Sequence, residues 1–241
     1  MRITQQPAYV LHSRAWRETS LLLEAFTRDH GRVGLVARGV RSARARLPRS
    51  ALEPLQALQL DWSGRGELQT LTAAEPVRNP PALRGEALMS AMYVNELMVR
   101  LTARDDPHPA LFRRYAGLLD ELASTRPLAW SLRRFERDLL AETGYALQLE
   151  TEAGTGAPVE PALAYDYVPE VGPVAALGST GSGTRVRGSA LLALAADAAP
   201  PDAEDLAALR RLMRTLIGAQ VGERGLQSWR VLGGLRSGDR P

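Results

Sequence analysis

Cysteine is missing from all 241 residues, which removes disulfides, thiolate nucleophiles and cysteine-ligated zinc. Histidine is nearly as scarce: His12, His30 and His108 form no HExxH, no paired HxH and no cluster with carboxylates. Lysine is absent too, so all 30 basic residues are arginine, as a GC-rich coding bias would give. A phosphate loop needs Gly-Lys-Ser/Thr, and the run from Gly178 to Gly183 resembles one in composition alone. Asp105-Asp106 directly precedes Pro107 and reads as helix punctuation rather than a catalytic pair. No catalytic residue, metal ligand or cofactor site is nominated, and a non-enzymatic protein is expected. The chain also lacks an apolar run long enough for a membrane helix, and Met1-Arg2-Ile3-Thr4 lacks the basic-then-apolar order of a secretory signal. A cytoplasmic protein without membrane contact is expected.

What is present is unevenly distributed. Residues 1–50 carry ten arginines against Glu18, Glu24 and Asp29, a local balance of +7, whereas the rest of the chain is at −4. The overall +3 therefore conceals a basic N-terminal segment, the asymmetry expected where one domain meets a polyanion, with nucleic acid the leading choice. Arg38, Arg41, Arg44, Arg46 and Arg49 are the densest cluster, diluted by small residues, and no acid occurs between Asp29 and Glu53. Guanidinium forks bind phosphate oxygens bidentately, and a small-residue segment lets the backbone follow a strand closely. Arg14, Arg17, Arg32 and Arg65 extend the footprint if the strands bring them to one face. The chain has few aromatics (5%), so phosphate contact is expected to dominate over base stacking. Trp16, between Arg14 and Arg17, is the best exception.

The length suits two domains, with 45% of residues in the hydrophobic set. Short strands are predicted at Ala8–Leu11, Ser20–Phe26 and from Val33, followed by a hairpin in which Leu58, Leu60 and Trp62 alternate with polar residues before Ser63-Gly64-Arg65-Gly66. Closely spaced strands without a helical period suit a small barrel of the oligonucleotide-binding (OB) type over residues 1–80, with a generic sandwich as the alternative. After Asn79-Pro80-Pro81 the apolar period becomes helical, with helices predicted from Leu83 to Leu101, Leu111 to Leu122 and Leu128 to Leu140. Residues 153–188 are rich in glycine, proline, serine and threonine and read as a loop-rich, irregular insertion. Helices near Ser189–Asp197 and Ala203–Ile217 follow, then a glycine-spaced tail from Gly222. The fold class is α+β multidomain: an OB-fold β-barrel at 1–80, then an α-helical domain at 81–241 with that insertion.

Several motifs resemble the RecO family. They are His12-Ser13-Arg14, Glu18-Thr19-Ser20-Leu21, Gly31-Arg32-Val33 and Val36-Ala37-Arg38-Gly39-Val40-Arg41. Gly64-Arg65-Gly66-Glu67-Leu68, Tyr93-Val94-Asn95-Glu96-Leu97, Leu132-Arg133-Arg134-Phe135-Glu136, Gly144-Tyr145 and Tyr165 extend the resemblance. It implies a bacterial, nucleoid-associated DNA repair and recombination protein that binds single- and double-stranded DNA and anneals complementary strands. With RecR, such a protein helps load RecA onto single strands coated by single-stranded-DNA-binding protein (SSB). The expected DNA contacts are Arg14, Arg17, Arg32, Arg38, Arg41, Arg44, Arg46 and Arg65. The resemblance also implies recognition of the acidic C-terminal tail of SSB by an apolar pocket with an arginine at its rim, for which Arg133 is the candidate. A pair with Glu136 is the simpler reading of Arg133. Some family members carry a four-cysteine zinc site in the region corresponding to residues 149–185, a pattern from which this cysteine-free chain departs. An RNA-binding barrel and a non-catalytic adaptor remain as alternatives.

Overall fold

The computed structural model describes residues 2–42, 47–176, 183–198, 202–222 and 225–229. Two compact units share the chain: one runs to Ser124 and takes in the segment from Leu226, and the other is Thr125–Gly225.

In the first unit β1 (Arg2–Trp16), β2 (Ser20–Thr27), β3 (Gly31–Ala37), β4 (Ala57–Ser63) and β5 (Leu68–Pro76) close into a barrel in the order β1-β2-β3-β5-β4. β3 and β5 run parallel, and β1 pairs with both β2 and β4. This is the expected OB topology. Alternation explains the interior: Leu21, Leu23 and Ala25 of β2 and Val33 and Leu35 of β3 point into one buried cluster with Leu58, Leu60 and Trp62. β2 is apolar on its outward face as well, because Leu22 and Phe26 are also buried. The Phe26 ring meets Phe112 at 5.7 Å, and Tyr9 of β1 meets Phe112 at 5.4 Å and Tyr115 at 5.0 Å. Those rings dock α2 (Pro109–Leu122), each pair adding about 0.5–1.5 kcal/mol beyond area burial. α1 (Gly85–Leu101) is fixed by Asn95, whose side-chain amide donates to the Leu11 carbonyl at 2.8 Å and accepts from the Tyr115 hydroxyl at 2.5 Å. Burial pushes the Tyr115 phenol far above its ordinary range. Glu96 accepts the backbone N–H groups of Gln227 and Ser228, so the returning C-terminal segment is held to α1.

The second unit contains α3 (Leu128–Glu142), α4 (Gly188–Ala195) and α5 (Ala203–Val221), the last capped by Asp202, which accepts from the Asp205 N–H at 2.8 Å. The segment expected to be irregular also holds a small antiparallel sheet, β7-β6-β8, formed by β6 (Ala164–Val168), β7 (Gly172–Ala175) and β8 (Thr184–Arg187). Its physical basis is tyrosine burial: the Tyr165 and Tyr167 hydroxyls accept the backbone N–H groups of Glu160 and Gln148. Asp166 and Arg185 form a cross-strand ion pair at 2.6 Å. The glycine content has a packing reason at Gly188, where a Cβ would lie 2.0 Å from the Glu160 carbonyl oxygen. The glycine- and serine-rich run from Gly178 to Ser182 lies outside the described residues.

Candidate nucleic-acid interface

The β1–β2 turn and the segment leaving β3 meet at one end of the barrel. Register brings them there, since Trp16 faces Ser20 across β1–β2 and Leu21 faces Ala37 across β2–β3. The Arg41 N–H donates to the Thr19 carbonyl at 2.9 Å, and the Arg41 guanidinium donates to the Arg17 carbonyl at 3.3 Å. Arg17 itself holds φ at 53°, a left-handed conformation disfavoured for a side chain with a Cβ, which tightens the turn. Arg14, Arg17, Arg38 and Arg41 are all exposed at this end, and none has a carboxylate partner among the described residues. Four like charges at one barrel end repel one another, and a bound polyanion relieves that repulsion. Trp16 is half-buried beside them, with the Arg14 guanidinium 5.9 Å from its ring centroid.

Other expected contacts lie elsewhere. Arg44 and Arg46 lie outside the described residues. Arg65 is exposed in the β4–β5 turn, at the opposite end, because β5 runs parallel to β3 and begins opposite Gly34. Arg32 is turned into the fold: it bonds Glu24 at 2.7 Å and the Thr102 carbonyl at 2.8 Å, with its side chain 13% exposed. Arg104 bonds the other Glu24 oxygen. Gly34 makes room for this network, since a Cβ there would lie 2.9 Å from the Glu67 carbonyl oxygen and 3.2 Å from the Arg104 Cζ. Sequence reasoning missed this clamp. Its available signal was Glu24, a lone acid within the otherwise apolar β2.

In the second unit Arg133 lies on α3 and pairs with Glu136 at 2.5 Å, the two side chains being 8% and 0% exposed. It is buried, and it is not among the residues lining a cavity of about 310 Å³ between Leu140, Tyr145, Leu147, Val171 and Leu216. The lining of that cavity contains Glu170 and no arginine. The expected combination of an apolar pocket and an arginine rim is thus not assembled there. Among the described residues no three His, Asp or Glu side chains are grouped to hold a metal ion, and no helix is long and apolar enough to cross a membrane.

The strand order and the exposed arginine group define an OB-fold protein with a basic barrel end, continued by helices. Comparison with known proteins narrows that class. The family described as "Recombination protein O N terminal" matches residues 1–80, and "Recombination protein O C terminal" matches residues 83–230. A relative from Xanthomonas euvesicatoria pv. vesicatoria (strain 85-10), named DNA repair protein RecO, is 46% identical over 235 residues, covering 96% of this chain and 97% of its own. Another of that name, from Nitrosococcus oceani, is 48% identical over 236 residues, covering 98% and 95%. The chain belongs to the RecO family of DNA repair proteins.

Proposed function

We propose that residues 1–80 bind single- and double-stranded DNA, that the chain anneals complementary strands, and that with RecR it helps load RecA onto SSB-coated single strands at the nucleoid. The observation that carries this reading is the group Arg14, Arg17, Arg38 and Arg41, exposed and without carboxylate partners among the described residues. Arg44 and Arg46, close behind in sequence, belong to the same proposed contact set; Arg65, at the other end of the barrel, contributes least.

Annealing requires no covalent step. Base pairing stabilises the product, and the protein lowers the phosphate repulsion that keeps two strands apart. Guanidinium contacts to phosphate carry little sequence preference, which suits a surface that must accept any strand. The test is a salt titration of wild type and a variant with Arg14, Arg17, Arg38 and Arg41 changed to alanine, on unrelated oligonucleotides. Loss of all four contacts should flatten the plot of log affinity against log salt by about 3, since each phosphate contact contributes roughly 0.7–0.9. A folded variant with unchanged slope would refute this DNA path. A matched RNA strand separates the DNA reading from an RNA one, because a 2′-hydroxyl reader prefers RNA.

For the acidic SSB tail the proposal retains Arg133, whose Nε has no hydrogen-bond partner among the described residues. Because that atom is buried, a tail carboxylate reaches it only if the side chains covering it shift. Tail-peptide anisotropy with Arg133→Ala tests this: unchanged affinity in a folded variant moves the tail site elsewhere.

A further inference from the structure

We propose that Trp16 is a nucleobase-stacking platform, which gives the basic barrel end a preference for single strands over duplex. The inference rests on the DNA-binding reading above and adds what phosphate contacts cannot supply. Arginines on phosphate bind either form; a flat ring favours the form whose bases are free to lie on it.

Elimination points to Trp16 first. The barrel strands hold four aromatic residues: Tyr9, Trp16, Phe26 and Trp62. Tyr9 and Phe26 are buried against Phe112 and Tyr115, and Trp62 is buried in the barrel core with its ring edge-on to His30 at 5.5 Å. Trp16 is not part of the buried barrel core and is half-buried. Its ring therefore stays partly in water at a strand end, where a ligand can reach it.

Its surroundings suit a nucleotide. β1 pairs with β4 from Arg2 to Tyr9, whereas from His12 to Trp16 its strand partner is β2 alone. The last turn of β1 is thus an edge, and the ring is not flanked by a strand on that side. Arg14 and Trp16 share the outward face, as their spacing of two dictates. The Arg14 guanidinium, 5.9 Å from the centroid, is at the outer limit of a cation–π contact. A base can take its place on the ring, freeing Arg14 for the adjoining phosphate. Arg17 follows Trp16 directly, and Arg41 is bonded to the Arg17 carbonyl, so guanidinium groups stand next to the stacking site along the strand path.

The experiment measures anisotropy of the full-length protein with three labelled ligands of equal length: oligothymidylate, the same backbone carrying abasic sites, and a duplex. Wild type should bind oligothymidylate about fivefold or more tighter than the abasic strand, the lower end of what one stacked base contributes. Trp16→Ala should lose that advantage while keeping its duplex affinity and its salt slope; Trp16→Phe, which retains an aromatic face, should keep most of it. Equal binding of abasic and normal strands by wild type overturns the proposal without requiring any variant. So does a folded Trp16→Ala protein that still discriminates. Oligothymidylate binding that survives in the four-arginine variant overturns this proposal and the DNA path together, whereas loss there with unaltered Trp16→Ala binding refutes stacking alone.

Discussion

Replacing Arg32 by alanine should damage stability and leave DNA affinity nearly intact, although it belongs to the same basic segment as Arg38 and Arg41. Its guanidinium donates to Glu24 at 2.7 Å and to the Thr102 carbonyl through two nitrogens at 2.8 and 3.3 Å. A charge-assisted hydrogen bond contributes about 1.5–3 kcal/mol when largely shielded, and the 13% and 14% exposure of the Arg32 and Glu24 side chains places them near that regime. Glu24 keeps Arg104 in the variant, so its carboxylate is not stranded, but the Thr102 carbonyl loses its donor. The net cost should be about 2–3 kcal/mol, or a fall of roughly 4–12 °C in Tm for a chain of this size. Arg32→Lys should recover only part of it, because an ammonium cannot reproduce the planar fork. Urea unfolding gives the stability change, and an oligonucleotide salt titration of the folded fraction gives the affinity. A variant as stable as wild type with a salt slope flattened by roughly 0.7–0.9 would refute the clamp and restore Arg32 to the DNA contact set.

Arg41→Ala should do the reverse, lowering affinity and salt slope while changing stability by less than about 0.5 kcal/mol, since its side chain is exposed. Gly34→Ala should destabilise by about 1–3 kcal/mol in urea, because its Cβ would press on the Glu67 carbonyl and the Arg104 guanidinium. Tyr115, held neutral by burial, has its folded pKa raised, so its contribution is fully present below the pKa of an unfolded phenol, about 10, and is lost as pH rises above it. Tyr115→Phe should therefore lower neutral-pH stability by about 1–3 kcal/mol and flatten the alkaline fall, as read from urea midpoints between neutral and alkaline pH. Arg133→Ala should cost about 1.5–3 kcal/mol in urea unfolding by removing a charge-assisted bond to the buried Glu136 carboxylate.

Most of the fold could be read from period. The two-residue alternation of Leu58, Leu60 and Trp62 and the helical spacing from Leu83 to Leu101 are local signals, and the structure keeps both. β6 and β8 escaped because their pairing is not local: Tyr165 pairs directly with Val186 although β7 separates them in sequence, and strands of four or five residues give too few alternations against a glycine-rich background. Likewise β1 was anticipated only from Ala8. Its first residues are interrupted by an irregularity between Ile3 and Gln6, where Gln5 takes a positive φ.

The candidate site was legible in composition and only partly in placement, and arginine chemistry explains why. The fork that binds a phosphate bidentately also binds a carboxylate and a carbonyl together, so residue type cannot separate the two uses. Strand parity does not separate them either: Arg14 and Arg32 both face outward, but the outward face at Arg32 is covered by residues 102–106, while at Arg14 it is open. What distinguishes them is which of them the acid engages. Arg32 and Arg14 are both diagonal to Glu24, across β2–β3 and β1–β2, but the two Glu24 oxygens are taken by Arg32 and Arg104, and Arg17, Arg38 and Arg41 lie further along those strands. A single carboxylate thus sorts the basic segment into a clamp and an open surface. Glu24→Gln should accordingly weaken the clamp without adding a DNA contact, because the freed Arg32 still donates to Thr102. Affinity that rises by tenfold or so in that variant, on the order of 1.4 kcal/mol, would show that Glu24 had been screening a phosphate site instead.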